Sequence, residues 1–138
     1  MNNVYVILGN QLFEPNLLIN LGCEHVFMSE DFQLCRYEKH HKLKLYLFLT
    51  AMREYKDELE DSGISVHYSK LNDRDENESY LSHLERFLIN NNINQVNLFE
   101  IEDKPFEKSM IDALESSKIS INTHDSPMFF LSKSSLFI

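Results

Sequence analysis

The residues best suited to chemistry lie in a polar stretch at positions 30–44, which combines carboxylate, imidazole, aromatic and basic side chains. Glu30 can accept hydrogen bonds, Tyr37 offers a ring for stacking, and His40 and His41 offer imidazoles. Neighbouring residues on a helix point about 100° apart, so the two histidines are poorly placed to bind one metal ion. We therefore interpret His41 as a hydrogen-bonding group in a pocket or between domains, and we expect no metal site.

A second polar turn follows the first apolar stretch of the chain. Residues 4–8 are an apolar, β-branched run typical of a buried strand, and the turn after it consists of Gly9, Asn10, Gln11 and Leu12. Glycine permits positive φ and close approach of the backbone, and the two carboxamides both donate and accept hydrogen bonds. Because the other glycines of a dinucleotide fingerprint and the Gly-Lys-Ser/Thr of a phosphate loop are missing, the turn predicts neither site.

Alternating strand and helix patterns account for most of the chain. Short apolar or alternating runs predict strands at residues 4–8, 25–30, 64–69, 95–100 and 119–123. Apolar residues three or four apart predict helices at residues 15–21, 43–59, 79–90 and 105–117. This alternation implies right-handed βαβ units, so we predict an α/β fold. The predicted architecture is a doubly wound, Rossmann-like sheet of five parallel strands in the order 3-2-1-4-5, with helices on both faces.

This topology brings the loops after strands 1, 2 and 4 to one edge of the sheet, where open α/β sheets bind ligands. The expected pocket is therefore bordered by residues 9–12, 30–44 and 100–104. Three acidic residues in the last loop are interpreted as solvated or helix-capping groups rather than as a catalytic pair: Glu100, Glu102 and Asp103.

Two further patterns predict burial. Strand 3 alternates apolar and polar residues, which indicates a position toward the edge of the sheet. The helix that begins near residue 43 is apolar nearly all round over its first turns, which predicts burial of that end on two sides.

Composition excludes several functional classes. The 138 residues, enough for one domain, carry a formal net charge of −9, whereas binding a phosphate backbone needs clustered lysine and arginine. No apolar run approaches the roughly 18 residues of a membrane helix. Cys23 and Cys35 form no C-x-x-C pair, and no signal peptide is recognisable, so we expect reduced thiols in a cytoplasmic protein. A serine hydrolase is unsupported because no Gly-x-Ser-x-Gly elbow occurs.

The chain ends on an apolar tail at residues 128–138, broken by a short polar stretch. Large exposed apolar patches are rare on soluble proteins. Two alternatives follow: the chain is a truncated piece whose partner domain covers this surface, or the tail folds back on the sheet.

Four short motifs occur in order along the chain: Ile7-Leu8-Gly9-Asn10-Gln11-Leu12, Arg36-Tyr37-x-x-His40-His41-Lys42-x-Lys44, Ala51-Met52-Arg53 and Phe130-Leu131-Ser132-Lys133. Together they resemble the deoxyribodipyrimidine photolyase-related family, the prokaryotic photolyases and cryptochromes that carry an iron–sulfur cluster. Lys133 stands in the usual arginine position of the last motif. The resemblance covers essentially the whole chain.

The resemblance implies that residues 1–138 are the N-terminal α/β domain of a light-dependent DNA repair or light-sensing flavoprotein, inactive alone. In that family the FAD, the iron–sulfur cluster and most DNA contacts belong to a C-terminal helical domain, which becomes the expected partner. The α/β domain can hold an antenna chromophore, a ribityl-lumazine in some members. The matching candidate binding residues are Gly9, Asn10, Gln11, Leu12, Glu30, Tyr37, His41 and Phe48.

Two positions depart from the family pattern. Asn10 stands where many members have Asp, and Leu34 stands where lumazine binders have Glu, which removes a hydrogen-bond acceptor for the chromophore. Two alternatives therefore stay open. The chain is a stand-alone module that binds a flavin or nucleotide, or it is a structural domain without a ligand that packs on a helical partner through residues 128–138.

Overall fold

The computed structural model describes residues 2–9, 11–31, 42–73 and 77–125, with the side chains of the third range described from Tyr46 onward. Within these ranges five strands alternate with four α-helices. The strands are β1 (Asn3–Val6), β2 (His25–Ser29), β3 (Ser65–Ser69), β4 (Gln95–Phe99) and β5 (Ser120–His124). The helices are α1 (Pro15–Asn20), α2 (Lys42–Asp61), α3 (Tyr80–Asn90) and α4 (Lys104–Ser116), and a 3-10 turn follows β3 at Leu71–Asp73.

All neighbouring strands are parallel, and their order is β3-β2-β1-β4-β5, which confirms the predicted topology. Tyr5 of β1 is in register with Val26 on one side and Asn97 on the other. β3 lies at an edge of the sheet and is partly exposed along its length, as its alternating sequence indicates. Since parallel strands end at the same side, the loops after β1, β2 and β4 share one edge of the sheet.

The helix boundaries follow from local sequence. Pro15 stands in the first turn of α1, where its missing N–H costs nothing. Gly63 follows α2 with a φ of +91°, the left-handed conformation that glycine adopts without a Cβ clash. The Ser79 side chain caps α3 by accepting a hydrogen bond from the Ser82 amide. Among the described helices, none is both long enough and apolar enough to cross a membrane.

Each face of the sheet packs against a different pair of helices. Alternate residues of β1 point to opposite faces, so one hydrophobic cluster joins Val4 and Val6 to α3 and α4 through Leu84, Leu88, Met110 and Leu114. The other cluster joins Tyr5 and Ile7 to α1 and α2 through Leu18, Met52, Tyr55 and Leu59. Each fully buried leucine contributes about 1.5–3 kcal/mol. The two cores fix where the loops at the carboxyl edge lie.

Cys23 belongs to the cluster under α1 and α2, is a free thiol, and is buried. Burial raises the pKa of Cys23 to about 12, so the thiol stays protonated and unreactive. Cys35 and the tail of residues 126–138, with the two alternatives for its packing, lie outside the described residues.

Candidate functional site

Gln11 ties the loop after β1 to the end of β4. Its side-chain Oε1 accepts a hydrogen bond from the Leu8 amide at 3.3 Å, and its Nε2 donates to the Glu100 carbonyl at 3.1 Å. The side chain is buried, with 3% of the residue exposed. The structure therefore confirms that the loops after β1 and β4 meet at one edge, and it shows that the Gln11 carboxamide already has protein partners.

Glu30, directly after β2, is the centre of a buried polar network. Its Oε2 accepts from Arg53 Nε at 2.8 Å and from the Tyr68 hydroxyl at 2.5 Å. Its Oε1 accepts from Arg53 Nη2 at 3.0 Å and from the Leu71 amide at 3.0 Å. Four hydrogen bonds are about the capacity of an ionised carboxylate. Glu30 thus joins the end of β2 to α2, β3 and the turn that follows β3.

The network sets the charge of its members. Burial by itself would raise the pKa of Glu30, but hydrogen bonds from Arg53, Tyr68 and the Leu71 amide outweigh it and lower this pKa. The hydrogen bond to Glu30 raises the pKa of Arg53, and burial followed by the Glu30 contact raises the pKa of Tyr68. At neutral pH the site therefore contains a carboxylate, a guanidinium and a neutral phenol.

Gly9 lies under the ring of Phe48 from α2. A Cβ atom placed on Gly9 would be 2.5 Å from Phe48 Cζ and 2.9 Å from Met52 Sδ, which real side chains do not allow. Side chains of α2 therefore approach this glycine closely, whereas the expected close approach of its backbone stays a prediction. The positive φ is not confirmed, since the described glycines with positive φ are Gly22 and Gly63. Lack of space, rather than backbone conformation, disfavours a side chain at position 9.

The eight candidate binding residues divide into two groups. Gly9, Gln11, Leu12, Glu30 and Phe48 are described and lie at or beside the carboxyl edge, with Leu12 and Phe48 partly buried against the core under α1 and α2. Asn10, Tyr37 and His41 lie outside the described residues, as does Leu34. Their assignment as chromophore ligands stays a prediction.

The roles of Arg53 and Tyr68 are not predicted by the sequence patterns. Arg53 lies one residue after the buried Met52, at the border between the core-facing and solvent-facing sides of α2. Tyr68 is the last aromatic residue of β3 and lies one residue from its end. A lone arginine on a helix border, opposite an acidic residue that ends a neighbouring strand, is the signal that indicates such a pair.

The beginning of α2 is more open than its sequence predicts. Tyr46 is 66% exposed and Leu47 is 56% exposed. The expectation of burial on two sides is therefore wrong for these two residues, because no described residue covers the outer side of the helix. Two apolar side chains consequently face outward near the candidate site.

The acidic loop after β4 has the capping role that we expected. Asp103 accepts a hydrogen bond from the Phe106 amide at 3.1 Å and caps α4. Glu100 pairs with Lys104 at 3.0 Å. Within the described ranges, no group of three or more His, Cys, Asp or Glu residues is arranged to hold a metal ion.

A polar cavity of about 370 Å³ lies at the opposite edge of the sheet, near the amino ends of β1 and β2. Its lining consists of Asn2, Asn3, Tyr5, Gly22, Glu24 and His25. Ligands of open α/β sheets bind at the carboxyl ends of the strands. We therefore keep the carboxyl edge, with Gly9, Gln11 and Glu30, as the candidate site.

Comparison with known proteins agrees with the sequence motifs. The sequence profile of a protein family described as deoxyribodipyrimidine photo-lyase-related protein matches residues 5–137. A (6-4) photolyase from Agrobacterium fabrum is 29% identical over 90 residues, which cover 62% of this chain and 18% of that protein. The matched segment thus covers less than a fifth of the length of this relative.

Proposed function

Because the chain belongs to the deoxyribodipyrimidine photo-lyase-related protein family, we propose that it is the N-terminal α/β domain of a photolyase- or cryptochrome-like flavoprotein in light-dependent DNA repair or light sensing. The observation that carries the proposal is the family match over residues 5–137. The similarity to a protein named (6-4) photolyase supports repair of DNA photoproducts as the chemistry of the whole protein. We propose a cytoplasmic protein, which the free thiol of Cys23 supports.

In this proposal the flavin, the iron–sulfur cluster and the DNA-binding surface belong to a C-terminal helical domain, and the 138-residue chain alone is inactive. The charge of the chain supports this division, since a formal net charge of −9 repels a phosphate backbone. The relative is more than five times longer than the segment matched here, which leaves ample length for such a domain.

We further propose that the carboxyl edge holds a ribityl-lumazine antenna. Some of its residues would contact the chromophore, and others would maintain the shape of the edge. Phe48, which is only partly buried, offers a ring for stacking, and Asn10, Tyr37 and His41 supply the remaining contacts. Gln11 and Glu30 already bond to protein groups, so their role in this proposal is to maintain the shape of the edge.

A fluorescence titration of the 138-residue protein with a ribityl-lumazine tests the antenna proposal. We expect saturable binding that Phe48→Ala weakens, since stacking depends on the ring. Ile89→Ala is the matched control, because Ile89 is an exposed apolar residue of α3 on the other side of the sheet. Absence of saturable binding, or equal affinity of the Phe48→Ala variant and the wild type, would remove the antenna from the proposal.

The native gene product tests the wider proposal. We expect the protein isolated from its own cells to be several-fold longer than 138 residues and to carry the blue absorbance of a bound flavin. A native product of 138 residues without flavin would contradict the photolyase-like function. It would leave a stand-alone binding module to be tested with flavins and nucleotides.

A second candidate function is a ligand-free interaction domain. The outward-facing side chains of Tyr46 and Leu47 favour it, because they give α2 an apolar surface next to the candidate site. The titration above separates the two functions, since an interaction domain binds neither lumazine nor flavin.

A further inference from the structure

Two histidines on neighbouring strands form a pair on the face of the sheet that packs against α3. His25 is the first residue of β2, and His67 lies in the middle of β3, with Phe27 of β2 as its register partner. His67 Nε2 is 3.4 Å from His25 Nδ1, and the two ring centroids are 5.6 Å apart. Both residues are partly exposed, so ions and water can reach them.

The 3.4 Å between the two nitrogens is the length of a long hydrogen bond, and it is also close to the separation of two ligands of one metal ion. Two nitrogens bound to one tetrahedral zinc at about 2.05 Å are about 3.3 Å apart. We propose that His25 Nδ1 and His67 Nε2 form a two-imidazole site for a divalent transition metal such as Zn²⁺ or Cu²⁺, with water in the remaining positions.

The surroundings prepare the pair for this role. The ring of His67 is 5.2 Å from the ring of Phe87 on α3, which supports it from the protein side.

The pair supplies two ligands from a rigid sheet. Among the described residues, no third His, Cys, Asp or Glu forms a metal-binding group with them. Such a site is open, so a bound ion keeps exchangeable water. An ion held here would link the amino-terminal half of β2 to β3 and stabilise the folded state by mass action. The site is independent of the proposed photolyase-like function, because it involves none of the candidate chromophore-binding residues.

Calorimetric titration of the full 138-residue protein with CuCl₂ and ZnCl₂ at pH 7 tests the proposal. We expect one Cu²⁺ per pair, with Cu²⁺ bound more tightly than Zn²⁺ as the ordinary affinity order requires. Electron paramagnetic resonance of the Cu²⁺ complex should show coupling to two ring nitrogens. His67→Gln and His25→Gln should each weaken binding at least about tenfold, because one of two protein ligands is lost.

The His124→Gln variant is the matched control, because it removes the histidine that ends β5, the strand at the other side of the sheet from β3, and leaves the pair intact. We expect it to bind Cu²⁺ with wild-type affinity. If the control loses binding while His67→Gln retains it, the metal binds elsewhere and the proposal fails. Wild-type affinity in both His25→Gln and His67→Gln would overturn it as well. If His67→Gln does not fold, His25→Gln alone provides the test, because a substitution at the start of a strand disturbs the sheet less.

Discussion

Arg53 holds the carboxylate of Glu30 through two parallel hydrogen bonds, from Nε at 2.8 Å and from Nη2 at 3.0 Å. The pair joins α2 to the end of β2 at the candidate site. The Glu30 side chain is fully buried, whereas 47% of the Arg53 side chain remains exposed. Only one of the two charges has therefore lost most of its water, which makes the desolvation cost smaller than for a pair that is buried completely.

Replacing Arg53 with alanine should lower the free energy of unfolding by about 2 kcal/mol, between the values for exposed and fully buried ion pairs. The buried Glu30 carboxylate would keep its bonds from Tyr68 and the Leu71 amide but lose its countercharge. Urea unfolding measures the change. Lys56→Ala is the matched control on the same helix, since Lys56 forms a surface pair with Glu60, and we expect it to cost about 0.5 kcal/mol or less. Equal effects of the two variants would show that the bidentate pair adds nothing.

The lowered pKa of Glu30 gives stability a defined dependence on pH. The ionised Glu30 makes its full contribution to the free energy of unfolding above the ordinary glutamate pKa of about 4.3. This contribution is lost as the pH falls through the lower pKa of the folded state. The wild type and Glu30→Gln should therefore differ most at pH 7 and converge in acid. Urea unfolding in steps from neutral to acidic pH measures this. A difference that stays constant over the whole range would rule out linkage through Glu30.

Gly9→Ala should destabilise the protein by about 1–3 kcal/mol through overpacking against Phe48 and Met52. Phe48→Ala in the same chain should relieve much of this cost, so the double variant should be more stable than the sum of the single changes by at least about 0.5 kcal/mol. Thermal or urea unfolding of the four proteins measures this coupling.

Gly22→Ala provides the comparison for Gly9→Ala. Gly22 has no atoms within 4 Å of an added Cβ but has a φ of +81°, so its substitution costs backbone strain only. The changes in the free energy of unfolding caused by Gly22→Ala and by Phe48→Ala should therefore be additive to within about 0.5 kcal/mol. Coupling of Gly22→Ala to Phe48→Ala would indicate a general loosening of the fold rather than a local contact.

The sequence was sufficient for the topology because local signals and connection rules agree. Period-2 and period-3.6 patterns locate the strands and helices, and right-handed crossovers then restrict the order of the strands. The alternation in β3 even indicates its edge position. The loop residues 9, 11 and 30 follow from the rule that ligands bind at the carboxyl edge.

The side-chain partners in the site were not predictable in the same way. Gln11 bonds to Glu100, 89 residues away, and Arg53 bonds to Glu30, 23 residues away. Such pairs depend on how α2 is rotated about its axis and on where each loop ends relative to the sheet. Neither property produces a periodic pattern in the sequence. A pattern of apolar residues likewise does not indicate which element covers them. For this reason the sequence predicts burial of Tyr46 and Leu47, although both are exposed.

The exposure of Leu47 can be tested by replacing leucine with alanine there and at a buried position of the same protein. Leu47→Ala should change the free energy of unfolding by no more than about 0.5 kcal/mol, because the 56% exposed side chain has few contacts to lose. Leu84→Ala, the same chemical change at a fully buried position of α3, should cost about 2–5 kcal/mol. Urea unfolding of both variants at pH 7 makes the comparison. A cost above about 1.5 kcal/mol for Leu47→Ala would show that this end of α2 is covered after all. That result would weaken the interaction-domain alternative, which needs Leu47 to face outward.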